Sequence, residues 1–216
     1  MKKILLFIIA VVLFLYTVSS VFAGEATDFV KKFTDDALTG ILAQPVSLEK
    51  KAELFEDLFE KCTSLDAIAS FALGRKMKTL SVDEKERFKK VFKKNLILMW
   101  TLRFAEYDGQ HFEFTGEKLS DGSKDVFVSS KVIPSNGKSD SPPIDVIWRI
   151  RKDKNGKPGV IDIVISNISM LKTYQTEYTS FLNRNDGDIN ALIDMLKVKN
   201  DGYAADIKAA SEKKDG

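Results

Sequence analysis

The sequence has very little of the chemistry that most metal and hydrolytic sites require. It contains one Cys and one His, Cys62 and His111. One Cys cannot form an internal disulfide, and one Cys with one His cannot build a zinc cluster. A Ser-His-Asp triad would have to use His111, and no G-x-S-x-G context for its serine is present. The composition therefore predicts no metal or cofactor, and a fold held together by packing, with Cys62 as a small buried residue.

The N-terminus has the layout of a secretory leader. Lys2 and Lys3 precede an uninterrupted apolar run at 4–16, and Val21 and Ala23 occupy the −3 and −1 positions of a cleavage site. This order predicts a signal peptide, residues 1–23, that is cut after Ala23. The alternative is a retained membrane anchor, for which the apolar run is short because a span needs about 20 residues.

Once the leader is removed, the chain also has no excess of positive or negative charge. Lys2 and Lys3 account for two of the 33 basic residues, so 31 remain against 31 acidic residues. A domain with a net charge near zero lacks the basic footprint of a nucleic-acid-binding protein. Removing 23 of 216 residues leaves 193, which suits one domain with a sizeable core.

What is present is a helical first half. Apolar residues four apart from Phe29 to Ile41 predict a first helix, and 54–59 carries a second apolar stripe. Ser64 and Gly74 suit the start and the end of a short third helix.

A capping box predicts the start of a long fourth helix. Ser81 and Glu84 have the spacing at which each side chain bonds a backbone N–H of the other residue. Apolar residues three and four apart then continue to Leu102, and Asp108-Gly109 marks the end.

Beyond Gly109 the apolar period changes to two, which indicates strands. Two turn signals, Asp121-Gly122 and Asn155-Gly156, separate some of them. The predicted strands lie near 112–114, 126–132, 144–150 and 160–165. Two helices, at about 169–181 and 188–196, and a polar, frayed tail from Asn200 complete the chain. This layout predicts the α+β class, with helices packed on one face of a curved antiparallel sheet.

Two segments resemble a known family. They are SLDAIASFALGRKMKTLSVDEKERFKKVFKKNLILMW, at 64–100, and VIDIVISNISMLKTY, at 160–174. The first holds Leu73-Gly74-Arg75, the capped helix and a late Trp100; the second holds Asp162-Ile163 and Tyr174. Together, behind a leader, they are similar to the MlaC or toluene-tolerance (Ttg2) family of periplasmic phospholipid-transport proteins. Four positions depart from the family pattern: Leu65, Met77, Pro158 and Gln175.

The resemblance implies a fold and a role. The fold is an NTF2-like, antiparallel-rich curved sheet with helices over an apolar cavity, in a single lipid-binding domain at 24–199 followed by a polar tail at 200–216. The role is a non-enzymatic carrier in the periplasm that maintains outer-membrane lipid asymmetry. Its implied partners are a phospholipid ligand, an outer-membrane lipoprotein complex, and an inner-membrane ABC transporter with its lipid-binding subunit. No nucleic acid is implied.

The lipid-binding residues are expected on the concave face of the sheet and on the helices above it. The alternative for each of them is an ordinary closed core. The sheet candidates are Val146, Trp148, Ile150, Ile163 and Ile165. The helix candidates are Leu73, Met77, Leu96, Trp100, Phe104, Met170, Leu171 and Tyr174.

Four cations are candidates for contact with a lipid head group or a partner. Lys85, Lys89 and Lys93 lie along one helix edge, and Arg75 follows the Gly74 helix stop. The alternatives are a solvated helix face for the lysines and a surface ion pair for Arg75.

Two other classes of function stay open. NTF2-like folds also host small enzymes that use a pocket carboxylate as base, and Asp162 is the candidate for it. His111 near Asp162 would strengthen that alternative. Otherwise Asp162 accepts hydrogen bonds from backbone or Arg. The third class is a non-catalytic periplasmic interaction module with a filled core.

Overall fold

The computed structural model describes residues 24–135 and 142–212, and the predicted leader lies outside them. Helices come first, as the period-four pattern predicts. They are α1 (Glu25–Ala37), α2 (Leu48–Cys62), α3 (Leu65–Leu73) and α4 (Val82–Phe104). A π-helical turn at Leu38–Leu42 extends α1, and a 3₁₀ turn at Gly74–Thr79 links α3 to α4.

Local chemistry explains the helix ends. Ser47 caps α2 by accepting a hydrogen bond from the Lys50 N–H. The predicted capping box at α4 is confirmed, since the Ser81 and Glu84 side chains each accept from the other residue's N–H. Gly74 ends α3 with a φ of 54°, a value that glycine adopts without strain.

The strands form one antiparallel meander in the order β1-β2-β3-β4-β5. Gly122 and Gly156, in the two predicted turns, have φ values of 72° and 82°. The strands are β1 (His111–Leu119), β2 (Asp125–Ile133), β3 (Ile144–Lys152), β4 (Pro158–Ile165) and β5 (Ile168–Ser169). The predicted mixed class, helices with an open antiparallel sheet, is confirmed.

The register divides the sheet into two faces. Val128 lies opposite Trp148, which lies opposite Ile163, so these residues share a face. We call it the inner face; its other central members are Ser130, Val146, Ile150, Val160 and Ile165. The outer face carries Asp125, Phe127, Ile147, Arg149 and Arg151.

Two bulges interrupt the alternation. One lies in β1 between Phe114 and Gly116, and the other in β4 opposite Arg149 and Ile150. Because of the second bulge, Val160 and not Ile161 lies opposite Ile150.

Two helices follow the sheet, α5 (Met170–Arg184) and α6 (Ile189–Glu212). The second differs from the frayed tail expected from residue 200. Ile207 is buried, and Asn200 accepts a hydrogen bond from Asn95 and donates to the Val91 carbonyl, which fastens α6 to α4. Residues 200–212 therefore belong to the folded body, and only 213–216 of the expected tail lie outside the described residues. Across the described ranges, no helix is both long and apolar enough to span a bilayer.

Candidate functional site

Trp148 is the central residue of the inner face. It is 5% exposed, and its ring packs edge-on against Phe33 of α1 and Phe112 of β1, at centroid distances of 5.8 Å and 5.6 Å. The indole N–H donates to the Ser130 hydroxyl at 2.9 Å, and that hydroxyl donates to the Val146 carbonyl. The one polar atom of the ring is therefore satisfied inside an apolar surface.

An aromatic cluster joins α4 to α5. Phe88 stacks on Phe92 at 5.3 Å, and both rings meet Tyr178 edge-on at 6.1 Å and 5.6 Å. Tyr174 packs against Phe92 at 5.5 Å, and its hydroxyl donates weakly to the Met99 sulfur at 3.4 Å. Burial raises the pKa of both tyrosine hydroxyls, so both stay neutral and add to the apolar interior.

The structure brings twelve of the thirteen predicted lining residues into or against one apolar core. Met170 is the exception, because it is half-buried and lies outside that core. Six belong to the buried core: Leu73, Leu96, Val146, Trp148, Ile150 and Leu171. Six half-buried residues pack against it: Met77, Trp100, Phe104, Ile163, Ile165 and Tyr174. The inner face is thus the one covered by helices.

Side chains meet directly across this interior, as the Phe33–Trp148 contact shows. Two grooves lie instead on the surface, along the first half of α4, and both are lined by Glu86 and Lys89. One has a volume of about 310 Å³ and is lined by residues including Phe59, Lys89 and Lys93. The other, about 330 Å³, is lined by residues including Met77 and Lys85. Neither is the long apolar chamber between sheet and helices that the resemblance implies.

Two of the four predicted cations are engaged in ion pairs. The Lys89 ammonium lies 2.9 Å from Asp66 and 2.7 Å from Glu86, and Lys93 lies 2.6 Å from both Glu56 and Glu60. These hydrogen bonds raise the pKa of both lysines. Because Glu56 and Glu60 belong to α2 and Asp66 to α3, the two lysines attach α4 to its neighbours.

Arg75 and Lys85 differ from that pair. Arg75 is exposed and Lys85 is half-buried at the rim of the second groove. Neither forms an ion pair with another of the described residues. Of the four cations, these two have charges that stay available for an anionic group.

Asp162 is engaged in holding the start of α5. Its carboxylate accepts hydrogen bonds from the Ser169 hydroxyl at 2.6 Å and from the Leu171 N–H at 2.9 Å. His111 lies on β1, which β2 and β3 separate from β4, and its imidazole is 3.8 Å from Glu113. The structure therefore does not place His111 beside Asp162. Among the described residues, no group of three or more metal-ligating side chains is found.

The outer face carries an ionic cluster that sequence reasoning missed. Asp125, fully buried, accepts hydrogen bonds from Arg149 at 2.7 Å and from Arg151 at 2.6 Å and 2.8 Å. Arg151 first, and then Arg149, hold the pKa of the Asp125 carboxyl below its usual value. The Arg149 guanidinium also lies 5.8 Å above the Phe127 ring. The signal in the sequence was the i, i+2 pair of arginines in β3.

The geometry thus defines an α+β domain with an apolar interior on one side of an antiparallel meander. The family profile described as MlaC protein matches residues 31–198. This chain belongs to the MlaC family.

Two relatives extend the comparison. The intermembrane phospholipid transport system binding protein MlaC of Haemophilus influenzae is 25% identical over 122 residues, which is 56% of each chain. The match therefore spans about half the length of that relative. The phospholipid-binding protein from Ralstonia solanacearum, solved in complex with a phospholipid, has the same fold, with a TM-score of 0.71. It is 24% identical, and the match covers 82% of this chain and 97% of that one.

Proposed function

We propose that this chain is a periplasmic phospholipid carrier that holds acyl chains between the inner face of the sheet and the helices. It is a non-catalytic protein that moves lipid between an outer-membrane lipoprotein complex and an inner-membrane ABC transporter with its lipid-binding subunit. The observation that carries the proposal is the continuous apolar core around Trp148, in a chain of the MlaC family. The two similar proteins support it, since one is named for phospholipid transport and the other for phospholipid binding.

Transfer of apolar surface from water provides the binding energy. Each buried CH₂ contributes roughly 0.8 kcal/mol, so a chain of about fifteen carbons contributes on the order of 12 kcal/mol. No charged clamp is needed for affinity of that size. Release into water is correspondingly unfavourable, which is why a carrier of this kind requires partners that accept the lipid directly.

Loading requires the interior to open. Phe33 and Trp148 are in contact, so an acyl chain enters only if α1 and the sheet separate and the lipid replaces the contacts they lose. The free energy needed for that separation reduces the net free energy of lipid binding below the value expected from acyl-chain burial alone. Arg75 and Lys85 are the cations that remain to meet a phosphate head group or an acidic partner, while Lys89 and Lys93 stay in their ion pairs.

Mass spectrometry of an organic extract of the mature protein tests the proposal. Phospholipid is expected in near-equimolar amount, either as purified or after incubation with phospholipid vesicles. Repeated recovery of none under both conditions would contradict the carrier function and favour an interaction module with a filled core.

Two substitutions on opposite faces test the site. Trp148→Asp places a charge on the inner face and is expected to abolish loading. Phe127→Asp is the matched control, because it makes the same kind of change on the outer face, beside Arg149, and is expected to leave loading intact. Circular dichroism checks that both variants are folded. Ile163→Asp, at a half-buried inner-face position, replaces the first variant if Trp148→Asp does not fold. Equal loading by an inner-face variant and the control would refute the inner-face assignment.

A further inference from the structure

Glu117 lies on β1 but bonds to the first residues of α1. Its Oε1 accepts a hydrogen bond from the Gly24 N–H at 2.8 Å. Its Oε2 accepts from the Thr27 N–H at 3.0 Å and from the Thr27 hydroxyl at 2.6 Å. One carboxylate, from a strand about 90 residues further along the chain, therefore accepts hydrogen bonds from three donors at the start of this helix.

The bulge in β1 aims that carboxylate at the helix. Glu113, before the bulge, lies opposite Lys131 on the outer face, whereas Glu117, after it, lies opposite Val128 on the inner face. Side chains alternate along a strand, so without the extra residue Glu117 would share the face of Glu113. Although burial raises the pKa of Glu117, its hydrogen bonds to Thr27 and Gly24 together bring that pKa below the usual value.

Gly24 is also the residue that follows the predicted leader cut. We propose that Glu117 is a binding site for the chain's own α-ammonium group, which is generated at Gly24 when the leader is removed. The proposal rests on the predicted cut after Ala23 and is independent of what the domain carries. Its ligand is a primary ammonium, and its effect is to attach the mature N-terminus to β1.

The chemistry of the cut supplies this group. Hydrolysis of the Ala23–Gly24 amide by a leader peptidase consumes one water and leaves a carboxylate on Ala23 and an amine on Gly24, which is protonated at neutral pH. A neutral amide N–H that already donates to Glu117 thus becomes a cation with three donors. Cleavage adds no heavy atom to this nitrogen, and the φ of 120° at Gly24 suits glycine.

Among the acidic residues near the start of α1, Glu117 is the one whose carboxylate accepts the Gly24 N–H. Glu25 and Asp28 lie in the first turn of α1, and the Lys152 ammonium from β3 is 2.7 Å from Glu25. An α-amino group ordinarily has a pKa of about 7.7–8.0, and pairing with a carboxylate raises it in the folded state. The pairing therefore stabilises the fold fully below that pH, and its contribution is lost as the pH rises through the folded-state pKa.

Intact mass and an NMR titration test the proposal on the full chain secreted through its own leader. The mass is expected to correspond to a chain that starts at Gly24. In uniformly ¹³C-labelled protein, the Hα and ¹³Cα chemical shifts of Gly24, which report the charge of the unmodified α-amine, are then titrated in the folded protein and in urea. The α-amine pKa is expected to be higher in the folded protein than in urea, and higher in wild type than in Glu117→Gln.

Glu113→Gln is the matched control, since it removes the same charge from the same strand on the opposite face and should leave the α-amine pKa unchanged. A chain that starts elsewhere, or an α-amine pKa that is the same folded and unfolded, would overturn the proposal. If Glu117→Gln does not fold, Glu117→Asp replaces it: the shorter side chain withdraws the carboxylate from Gly24, so the α-amine pKa is expected to fall below that of wild type, and an unchanged α-amine pKa would overturn the proposal.

Discussion

The two faces of the sheet use the same four strands for opposite purposes. On the centre of the inner face, Trp148 lies among apolar neighbours beneath the helices, and its indole N–H bonds to Ser130. On the outer face, Asp125 is buried beneath Arg149 and Arg151, whose side chains remain 25% and 44% exposed. The inner face therefore depends on removal from water, while the outer face depends on charges that stay partly in water. An apolar ligand fits only the first arrangement.

The largest difference between the faces is expected from removing the central ring. Trp148→Ala should lower the free energy of unfolding by roughly 3–5 kcal/mol, because it removes a buried ring and leaves a cavity. Phe127→Ala, on the half-buried outer face, should cost clearly less. Urea unfolding followed by circular dichroism measures both, and equal losses would mean that the faces do not differ as described.

A smaller effect is expected from the ionic cluster. Asp125→Asn should cost about 2 kcal/mol, less than the roughly 3–5 kcal/mol typical of a fully buried pair, because both arginines keep contact with water. It should leave lipid loading unchanged.

The same variant should change the response to acid. The pKa of Asp125 is lowered in the folded state, so its stabilisation is complete above the unfolded-state pKa of about 3.9 and is lost as the pH falls below it. Urea unfolding at pH 7 and at stepwise lower pH should show the gap between wild type and Asp125→Asn closing in acid. A gap that stays constant down to pH 3 would contradict the ion-pair account.

The smallest expected effect concerns the polar contact within the inner face. Ser130→Ala leaves the buried Trp148 N–H without its acceptor, which should cost about 1 kcal/mol. Ser129→Ala, the adjacent residue on the outer face, should stay within about 0.5 kcal/mol of wild type. Urea unfolding of the two variants checks the difference, and a reversed order would refute the assignment of faces.

Most helix ends and strand turns could be predicted from local sequence signals. The capping box at Ser81 and the glycines at 74, 122 and 156 each act within a few residues. Sequence spacing alone therefore predicts where α3 ends, where α4 begins and where two of the strand connections turn. The two bulges could not be predicted in this way, because a bulge is defined by pairing with a second strand. The extension of α6 was missed because residues 200–212 are mostly charged or small, with few large apolar side chains to mark a packed side; Asn200 and Ile207 are the buried ones.

The candidate site was predictable in composition but not in geometry. Period-two and period-four patterns place Val146, Trp148 and Leu96 in one interior, since burial is what produces those patterns. Whether large side chains meet or leave a gap depends on how helix and sheet pack against each other. The contact between Phe33 of α1 and Trp148 of β3 depends on that packing and could not be predicted from the sequence pattern. The ion pairs of Lys89 and Lys93 likewise depend on α2 and α3, which no spacing along α4 can indicate.

The buried amide pair between α4 and α6 has a consequence for how these helices align. Asn95 donates to Asn200 at 2.9 Å, and Asn200 donates in turn to the Val91 carbonyl at 3.1 Å. Sliding α6 by one turn would separate both buried amides from these partners, at about 1–3 kcal/mol each. The pair thus favours the observed axial position of α6 against α4. Replacing residues 200–216 with an affinity tag would remove Asn200 and with it this constraint on how α6 aligns with α4.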